Sequence, residues 1–211
     1  MKKLKDWEWI NAQNGPYLKS KLLSNLNFNH GFFTRQYLNY SIEEITNILG
    51  SGLSIHKVKQ IHGDRSVLAS NSTIKRLLSA DGIISNEPKQ SLWIYTADCI
   101  PVLIANKSKG NVGAFHAGWR GIERRLVTKA IKKIIGIDSS GKDLLIAMGP
   151  SISSKNYQVD ERTAELIHNS LDTETYKERG ESFDFIKNLK DLGIANSDIE
   201  PRKLKIDISI A

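Results

Sequence analysis

Residues 93–105 read Trp93-Ile94-Tyr95-Thr96-Ala97-Asp98-Cys99-Ile100-Pro101-Val102-Leu103-Ile104-Ala105. Apolar residues typical of β-strands lie on both sides of an Ala-Asp-Cys step, which contains the one cysteine of the chain. Because proline lacks an amide proton and fixes φ, Pro101 predicts a break or bulge in the strand near residues 99–101. A break there places the Cys99 thiol at the mouth of a sheet.

A second strand is predicted to end close to this cysteine. Residues 112–121 read Val-Gly-Ala-Phe-His-Ala-Gly-Trp-Arg-Gly, a short strand that ends with His116 and leads into a helix. The polar segment 106–110 closes with a glycine, so the strands on either side of it are predicted to form a hairpin. Cys99 and His116 then lie at neighbouring strand ends.

A third strand end brings another histidine. Alternating apolar residues predict a strand interrupted at Gly63, just after His62; these residues are Val58, Ile61 and Val67. One thiolate and two imidazoles are suitable ligands for a zinc ion, and three protein ligands leave a fourth coordination position for water or substrate. The spacing matches no zinc finger, so two alternatives stay open for Cys99: a buried inert thiol and the nucleophile of a Cys/His pair.

The flanking sequence mixes helices with strands. Ser41 and Glu44 form a predicted capping box for a helix that ends at Leu49. A second amphipathic helix is predicted over residues 122–135, with apolar residues every four positions. A buried strand is predicted over 143–148, and short helices over 162–170 and 183–192. The pattern predicts an α+β (mixed α/β) fold: one layered domain, residues 1–211, with mixed β-sheets flanked by helices.

Composition points to an ordinary globular protein. Hydrophobic residues make up 40% and charged residues 25% of the 211 residues, which suits one folded core in water. No apolar stretch has the length of a membrane span, and the basic start lacks the apolar segment of a signal peptide. A single cysteine forms no intramolecular disulfide. We therefore expect a cytoplasmic protein without membrane contact, a monomer or weak homo-oligomer.

The net charge of +7 is compatible with binding to nucleic acid. The lysines are spread along the whole chain, and no zinc-finger or RNA-recognition signature is present. The basic residues are therefore expected to be a solvated surface, with no nucleic-acid partner. A second effect of this charge is attraction of anionic substrates such as phosphate.

An open zinc site allows two reactions on nucleosides. It lowers the pKa of bound water to about 7, so hydroxide becomes available for attack on C6 of adenine; the same ion can activate phosphate for attack at a glycosidic carbon. Asp98 is a candidate to move protons or to orient a ligand imidazole, or else it caps a turn. Arg120 stands at a helix start. Arg35 is either a phosphate-binding guanidinium or a surface charge.

Four motifs together resemble the YfiH family, once labelled polyphenol oxidase or laccase domain. The resemblance covers residues 28–200, roughly, and the motifs are Gln60-Ile61-His62-Gly63, Ala80-Asp81-Gly82, Thr96-Ala97-Asp98-Cys99-Ile100-Pro101-Val102 and Gly113-Ala114-Phe115-His116-Ala117-Gly118-Trp119-Arg120-Gly121. It implies a zinc ion on His62, Cys99 and His116. It also implies phosphorolysis of adenosine, inosine, guanosine and methylthioadenosine, with adenosine deaminase activity at the same site.

The resemblance extends to individual residues. It implies catalytic roles for the three metal ligands and Asp98, and substrate contacts for Gln60, Arg120 and Arg35. The last of these stands in His30-Gly31-Phe32-Phe33-Thr34-Arg35, which is similar to a His-Gly-x-Ser/Thr-x-Arg region of the family. Residues 201–211 depart from the family's cysteine-containing strand and Phe-Phe-Ser-x-Arg-Arg stretch. A shortened or divergent C-terminus of this kind is expected to remove one wall of the pocket or an edge strand. A catalytically impaired metal-binding homologue is thus one alternative.

Copper chemistry is the other alternative, because two histidines and a cysteine also make a blue-copper site. Multicopper oxidation needs more imidazoles than this chain offers with His30, His56, His62, His116 and His168. A single electron-transfer copper prefers an axial methionine, and Met148 is the candidate beyond Met1. A copper-binding oxidoreductase therefore ranks second.

Overall fold

The structure is a computed structural model that describes residues 6–136, 141–153, 156–170 and 206–210. Within these ranges the strands are β1 (Trp7–Ala12), β2 (Gly15–Ser20), β3 (His30–Phe33), β4 (Ser54–Lys57), β5 (Ser66–Leu68), β6 (Gly82–Ile84), β7 (Gln90–Thr96), β8 (Ile100–Asn106), β9 (Val112–Ala117), β10 (Leu144–Met148) and β11 (Ile206–Ile210). The α-helices are α1 (Lys21–Ser24), α2 (Ile42–Leu49), α3 (Trp119–Glu123), α4 (Leu126–Ile135) and α5 (Glu161–Ser170). None of these helices has the length and apolar character needed to cross a membrane.

The strands form two mixed sheets. One sheet has the order β1-β2-β3-β11-β7-β4, and the other has the order β10-β8-β9-β6-β5. Most neighbouring strands are antiparallel, but β4 runs parallel to β7, and β5 runs parallel to β6. Mixed sheets accompanied by helices confirm the predicted α+β class.

Apolar side chains form three layers: one between the two sheets, one under α2 and one under α4. The inner strands are therefore buried on both faces. In β3, Phe32 joins the cluster between the two sheets, and its neighbour Phe33 joins the cluster beneath α2. In β9, Ala114 faces the layer between the sheets, and Phe115 packs against α4. Strands covered on both sides read as continuous apolar runs, which explains the character of residues 92–94 and 102–105.

A break is present at residues 97–99, just before the predicted position at Pro101, and it separates the two sheets. Strand β7 ends at Thr96 in the six-stranded sheet, and β8 begins at Ile100 in the five-stranded sheet. Pro101 itself lies within β8, opposite His116. Cys99 therefore lies in the connection between the two sheets, and the predicted hairpin of β8 with β9 is confirmed.

The strand predicted through Val58, Ile61 and Val67 is wrong over residues 58–65. β4 stops at Lys57, the next strand begins at Ser66, and the Ile61 side chain is exposed. The physical reason is that successive backbone N–H groups of residues 61–63 donate to the Asp81 carboxylate, so no partner strand is needed. Alternation in sequence does not reveal such a side-chain acceptor.

The single helix predicted over residues 122–135 is divided into α3 and α4. Arg125 has a φ of 60°, a left-handed conformation that ends one helix before Leu126 begins the next. This bend lets Gly121 lie where a Cβ atom would come within 3.0 Å of the Gly63 carbonyl oxygen. It also lets α4 pack its buried residues on the five-stranded sheet.

Other elements agree with expectation. Helix α2 carries the predicted capping box, in which the Ser41 and Glu44 side chains each accept from the other residue's backbone N–H. Helix α5 and strand β10 also lie where they were predicted, but β10 is an edge strand in which only Ala147 is buried, so the prediction of a buried strand is wrong. The predicted helix 183–192 lies outside the described residues. Strand β11 falls within residues 201–211, whose divergence was expected to remove an edge strand. It lies between β3 and β7 and is therefore an inner strand.

Candidate metal centre

Three chain segments from both sheets meet at one point. His62 follows β4, Cys99 follows β7, and His116 lies in β9. Because β4 and β7 are parallel neighbours, their C-terminal ends lie at the same end of the six-stranded sheet. In the β8–β9 hairpin, Ile100 lies opposite Ala117, so Cys99 and His116 are close to each other. The potential ligand atoms of His62, Cys99 and His116 all lie within 4.8 Å of one another. Among the described residues they form the one cluster of three or more potential metal ligands.

The cluster opens to solvent on one side. His116 is buried, Cys99 is half-buried and His62 is exposed. The two imidazole rings are nearly perpendicular, with their centroids 4.7 Å apart. A small molecule can therefore approach from the side of His62.

Gly118 leaves the space that an ion between these ligands requires. A Cβ atom at this position would lie 3.1 Å from Cys99 Sγ, 3.4 Å from His62 Cδ2 and 3.9 Å from His116 Cε1. The donor set of one thiolate and two imidazoles suits zinc, and it also suits copper. Donor chemistry and the space beside Gly118 together fit a metal ion.

Asp81 contacts two of the three segments and is completely buried. Its Oδ1 atom accepts from the His62 backbone N–H at 2.9 Å and lies 2.8 Å from His116 Nδ1. Its Oδ2 atom accepts from the backbone N–H groups of Gly63 and Ile61 at 2.7 and 3.2 Å. The sequence motif included this residue without giving it a role; the available signal was an acidic residue directly before a buried strand.

Electrostatics at the centre favour an ionised carboxylate beside a readily protonated imidazole. Burial lowers the pKa of His116, but hydrogen bonds and charges from Asp81 and Cys99 outweigh burial and raise it to about 9. Burial raises the pKa of Asp81, but hydrogen bonds from His116, Gly63 and Ile61 hold it below its ordinary value. A metal cation competes with the proton of His116, because metal ligands must be deprotonated.

Asp98 and Arg120 lie at the rim of the centre. Both side chains are exposed, and the Asp98 carbonyl oxygen accepts from the Ile152 backbone N–H. The carboxylate that contacts the His116 imidazole belongs to Asp81, and the role predicted for Asp98 stays a prediction. The Arg120 guanidinium lies over the Trp119 ring, 4.2 Å from its centroid.

Gln60 binds the protein's own backbone. Its Nε2 atom donates to the Tyr95 carbonyl oxygen, and its Oε1 atom accepts from the Tyr95 N–H, both at 2.8 Å. This pair of bonds joins the His62 loop to the end of β7. A second amide proton and a second lone pair remain for the substrate contact predicted for Gln60.

Arg35 lies at the same edge of the six-stranded sheet as the cysteine connection. It is exposed directly after β3, and Phe33 and Tyr95 lie opposite the same residue of β11. Strands β3 and β7 therefore end side by side with one strand between them. That separation is about 10 Å at the usual strand spacing.

Tyr157 is a residue near the centre that the sequence did not single out. It is 38% exposed, and burial raises the pKa of its phenol. The charge of Cys99 adds to this increase, and the charge of Arg120 opposes it. Tyr157 thus lies within electrostatic range of both groups, although nothing in its local sequence indicates this.

Comparisons with known proteins agree on the family. A family model described as multi-copper polyphenol oxidoreductase laccase matches residues 27–205. A relative from Synechocystis sp., named purine nucleoside phosphorylase, is 34% identical over 96% of this chain and 78% of its own length. A relative of the same name from Mycobacterium tuberculosis is 30% identical over 69% of this chain, which spans 60% of that protein.

Solved structures show the same fold at low sequence identity. The hypothetical protein YfiH from Bacillus licheniformis has a TM-score of 0.70 at 20% identity, with 96% of this chain and 97% of that chain covered. YlmD from Geobacillus stearothermophilus has a TM-score of 0.68 at 18% identity, with the same coverage. The extent of the family match and of the Synechocystis alignment shows that this chain belongs to the multi-copper polyphenol oxidoreductase laccase family, the YfiH-like group that its motifs resemble.

Proposed function

We propose that this protein is a zinc-dependent purine nucleoside phosphorylase with adenosine deaminase activity at the same site. The proposed substrates are adenosine, inosine, guanosine and methylthioadenosine, with phosphate as the second substrate of phosphorolysis. The observation that carries the proposal is the convergence of His62, Cys99 and His116 around the space beside Gly118. The names of the two relatives supply the reaction class.

His62, Cys99 and His116 would hold the ion, and the solvent-exposed side of the cluster, at His62, would be open to substrate. A zinc ion bound in this way supplies a Lewis acid and a water molecule that ionises near neutral pH. Because His116 is buried, bulk water would be kept away from that side of a bound substrate. The exposed side at His62 leaves room for the nucleoside to enter.

Charged residues at the rim would bind and protonate the substrates. Arg120, held against Trp119, and Arg35, at the same sheet edge as Cys99, would bind phosphate through their guanidinium groups. Asp98, exposed beside Cys99, would transfer a proton to or from the purine. Gln60 would contact the substrate with the proton and lone pair that Tyr95 leaves unused.

The test is an assay of purified, zinc-loaded protein with adenosine, in the presence and absence of phosphate. Adenine, ribose-1-phosphate, inosine and ammonia are followed together. Phosphorolysis gives adenine and ribose-1-phosphate only when phosphate is present, whereas deamination gives inosine and ammonia without it. Absence of all four products from protein with bound zinc would contradict the proposal and favour an impaired homologue.

Variants distinguish the metal centre from other causes of turnover. Cys99→Ala and His116→Ala are expected to abolish both zinc binding and turnover, because each removes one of three ligands. His168→Gln is the matched control, since this histidine is exposed on α5 and should leave both unchanged. Full activity in either ligand variant would defeat the assignment.

Copper is tested in the same preparation by metal analysis and visible absorption. The family's description favours this second candidate. Against a multicopper site, the His30 and His56 imidazoles are buried and hydrogen-bonded elsewhere. Stoichiometric copper with a strong blue colour would replace zinc in the proposal.

A further inference from the structure

We propose that Asp81 is a positioning residue that sets both imidazole ligands of the metal centre at once. It fixes the backbone conformation of His62 and the tautomer of His116, and it is not itself a ligand. The inference rests on the metal binding of the proposed function, but it does not depend on the reaction.

The hydrogen bonds of Asp81 identify it as an acceptor that is fully used. The side chain is 0% exposed, so no bulk solvent competes for its oxygens. Three of its four partners are backbone N–H groups, which can only donate. A carboxylate accepts four such bonds readily, and charge-assisted bonds of this kind are the stronger class.

The first ligand is held through its backbone. Residues 61–63 direct three successive N–H groups at one carboxylate, a concave arrangement typical of anion binding. His62, in the middle, has a φ of 56°, a left-handed conformation that is uncommon for residues other than glycine. The carboxylate compensates for this conformation, because extended backbone would turn the N–H groups away from it.

The second ligand is held through its ring. Because the ionised carboxylate only accepts, the 2.8 Å contact requires a proton on His116 Nδ1. The Nε2 lone pair is then free for a metal, as in the carboxylate–histidine–zinc arrangements of other proteins. The backbone is fixed as well, because the His116 N–H donates to the Asp81 carbonyl oxygen at 2.7 Å.

An asparagine of the same shape cannot replace this carboxylate. If its amide NH₂ group takes the place of Oδ2, it meets the N–H groups of Ile61 and Gly63. If the NH₂ group takes the place of Oδ1, it meets the His62 N–H and donates to His116 Nδ1. The second arrangement moves the His116 proton to Nε2 and thereby removes the metal-binding lone pair.

The experiment compares Asp81→Asn with Asp64→Asn in the full chain. Asp64 lies next to the same loop, but its carboxylate pairs with Lys129 on α4. Zinc affinity is measured by competition with a chromophoric chelator, and the visible spectrum is recorded with cobalt in place of zinc. We expect Asp81→Asn to lower zinc affinity about 10–100-fold and to change the cobalt spectrum, as loss of such supporting carboxylates typically does. Asp64→Asn should match the unmodified protein in both measurements.

A second measurement uses the unmodified protein, so the test does not depend on the folding of Asp81→Asn. NMR of zinc-loaded protein with ¹⁵N-labelled histidine should show a proton on His116 Nδ1 and the metal on Nε2. Metal on Nδ1 would overturn the inference. So would an Asp81→Asn protein that is less stable but retains normal zinc affinity and a normal cobalt spectrum. Neither readout uses a nucleoside, so failure of the proposed reaction is seen separately.

Discussion

At the level of single residues, Gly118 offers a direct test of the space between the metal ligands. Its φ is an ordinary −73°, so alanine introduces no backbone strain, and its effect arises from the added methyl group alone. That group would lie 3.1 Å from Cys99 Sγ, which is tighter than most Cβ contacts in proteins, so Cys99 would have to shift. Overpacking of this kind typically costs about 1–3 kcal/mol, so we expect Gly118→Ala to weaken zinc binding by about 5- to 150-fold.

A chelator-competition titration measures this effect, with Gly141→Ala as the control. A Cβ atom at Gly141 meets one atom, Ile135 Cδ1, at an ordinary distance of 3.7 Å. Its zinc affinity should equal that of the unmodified protein. Equal affinity in Gly118→Ala would show that the metal lies elsewhere.

His30 gives a second prediction at the residue scale, through its effect on stability at acid pH. The ring is completely buried; Nε2 accepts from the Ser20 N–H, and Nδ1 donates to the Phe28 carbonyl oxygen, both at 2.8 Å. Protonation would bring a proton on Nε2 against the Ser20 donor. Burial accordingly lowers the pKa of His30 to about 4, and the charge of Lys19 adds to the shift.

The sign of the effect follows from linkage. Between pH 6.5 and 4 the unfolded chain binds a proton at His30 that the folded protein does not bind. The free energy of unfolding therefore falls as the pH falls through this range, by about 3 kcal/mol from this residue. Urea unfolding of metal-free protein at pH 7 and pH 4 should show this loss in the unmodified protein and in His168→Gln. It should be absent in His30→Gln, and an equal loss in all three proteins would contradict the assignment.

The sequence identified the three residues of the candidate metal site, but it did not identify Asp81 as the residue that contacts two of them. Cys99 is the one cysteine, and histidines at strand ends are recognisable candidates, so His62 and His116 could be found by residue type and motif. Asp81 acts on backbone N–H groups of residues distant from it in sequence, and composition carries no record of such a bond. Tyr157 was not identified from the sequence for the same reason, because only the folded chain brings it near Cys99.

At the level of elements, patterns that depend on local chemistry were predicted correctly. The capping box of α2 needs two residues three positions apart, and the β8–β9 hairpin needs a polar turn between apolar runs. The errors arose where tertiary contacts override the local pattern. Residues 58–65 were predicted to form a strand, but the backbone there bonds to the Asp81 carboxylate. The left-handed conformation of Arg125 interrupts a helix, although the apolar residues keep their helical spacing on both sides of it.

Strand β11 provides the prediction at this scale. It pairs with β3 on one side and β7 on the other, so each inner residue directs its N–H group to one of these two neighbours. Ile208→Pro removes one such donor and leaves a buried acceptor unpaired, at a cost of about 1–3 kcal/mol before any steric term. Chemical denaturation should show the loss, together with faster amide exchange in β3 and β7. Ile208→Val keeps the N–H group and is expected to retain near-normal stability; equal stability of the proline variant would contradict the pairing.

At the level of the whole molecule, the candidate metal centre lies where chain segments from the two sheets meet. His62 and Cys99 follow strands of the six-stranded sheet, and His116 belongs to the five-stranded sheet. An ion bound to all three would therefore link the sheets to each other. Because such a site does not exist in the unfolded chain, the free energy of binding adds to the free energy of unfolding.

Removal of a bound metal should accordingly lower the thermal stability of the protein as a whole, and not only the order of the site. At a free zinc concentration 100 times the Kd, binding adds about 2.7 kcal/mol, and each kcal/mol raises the Tm by about 2–4 °C in a chain of this size. Thermal unfolding with added zinc, and again with excess chelator, should show a reversible shift of roughly 5–10 °C by this arithmetic. In Cys99→Ala the shift should vanish, because one of the three ligands that connect the sheets is lost. A shift of the same size in that variant would mean that zinc stabilises the protein from a different place, and the link between the sheets would then have to be sought outside this centre.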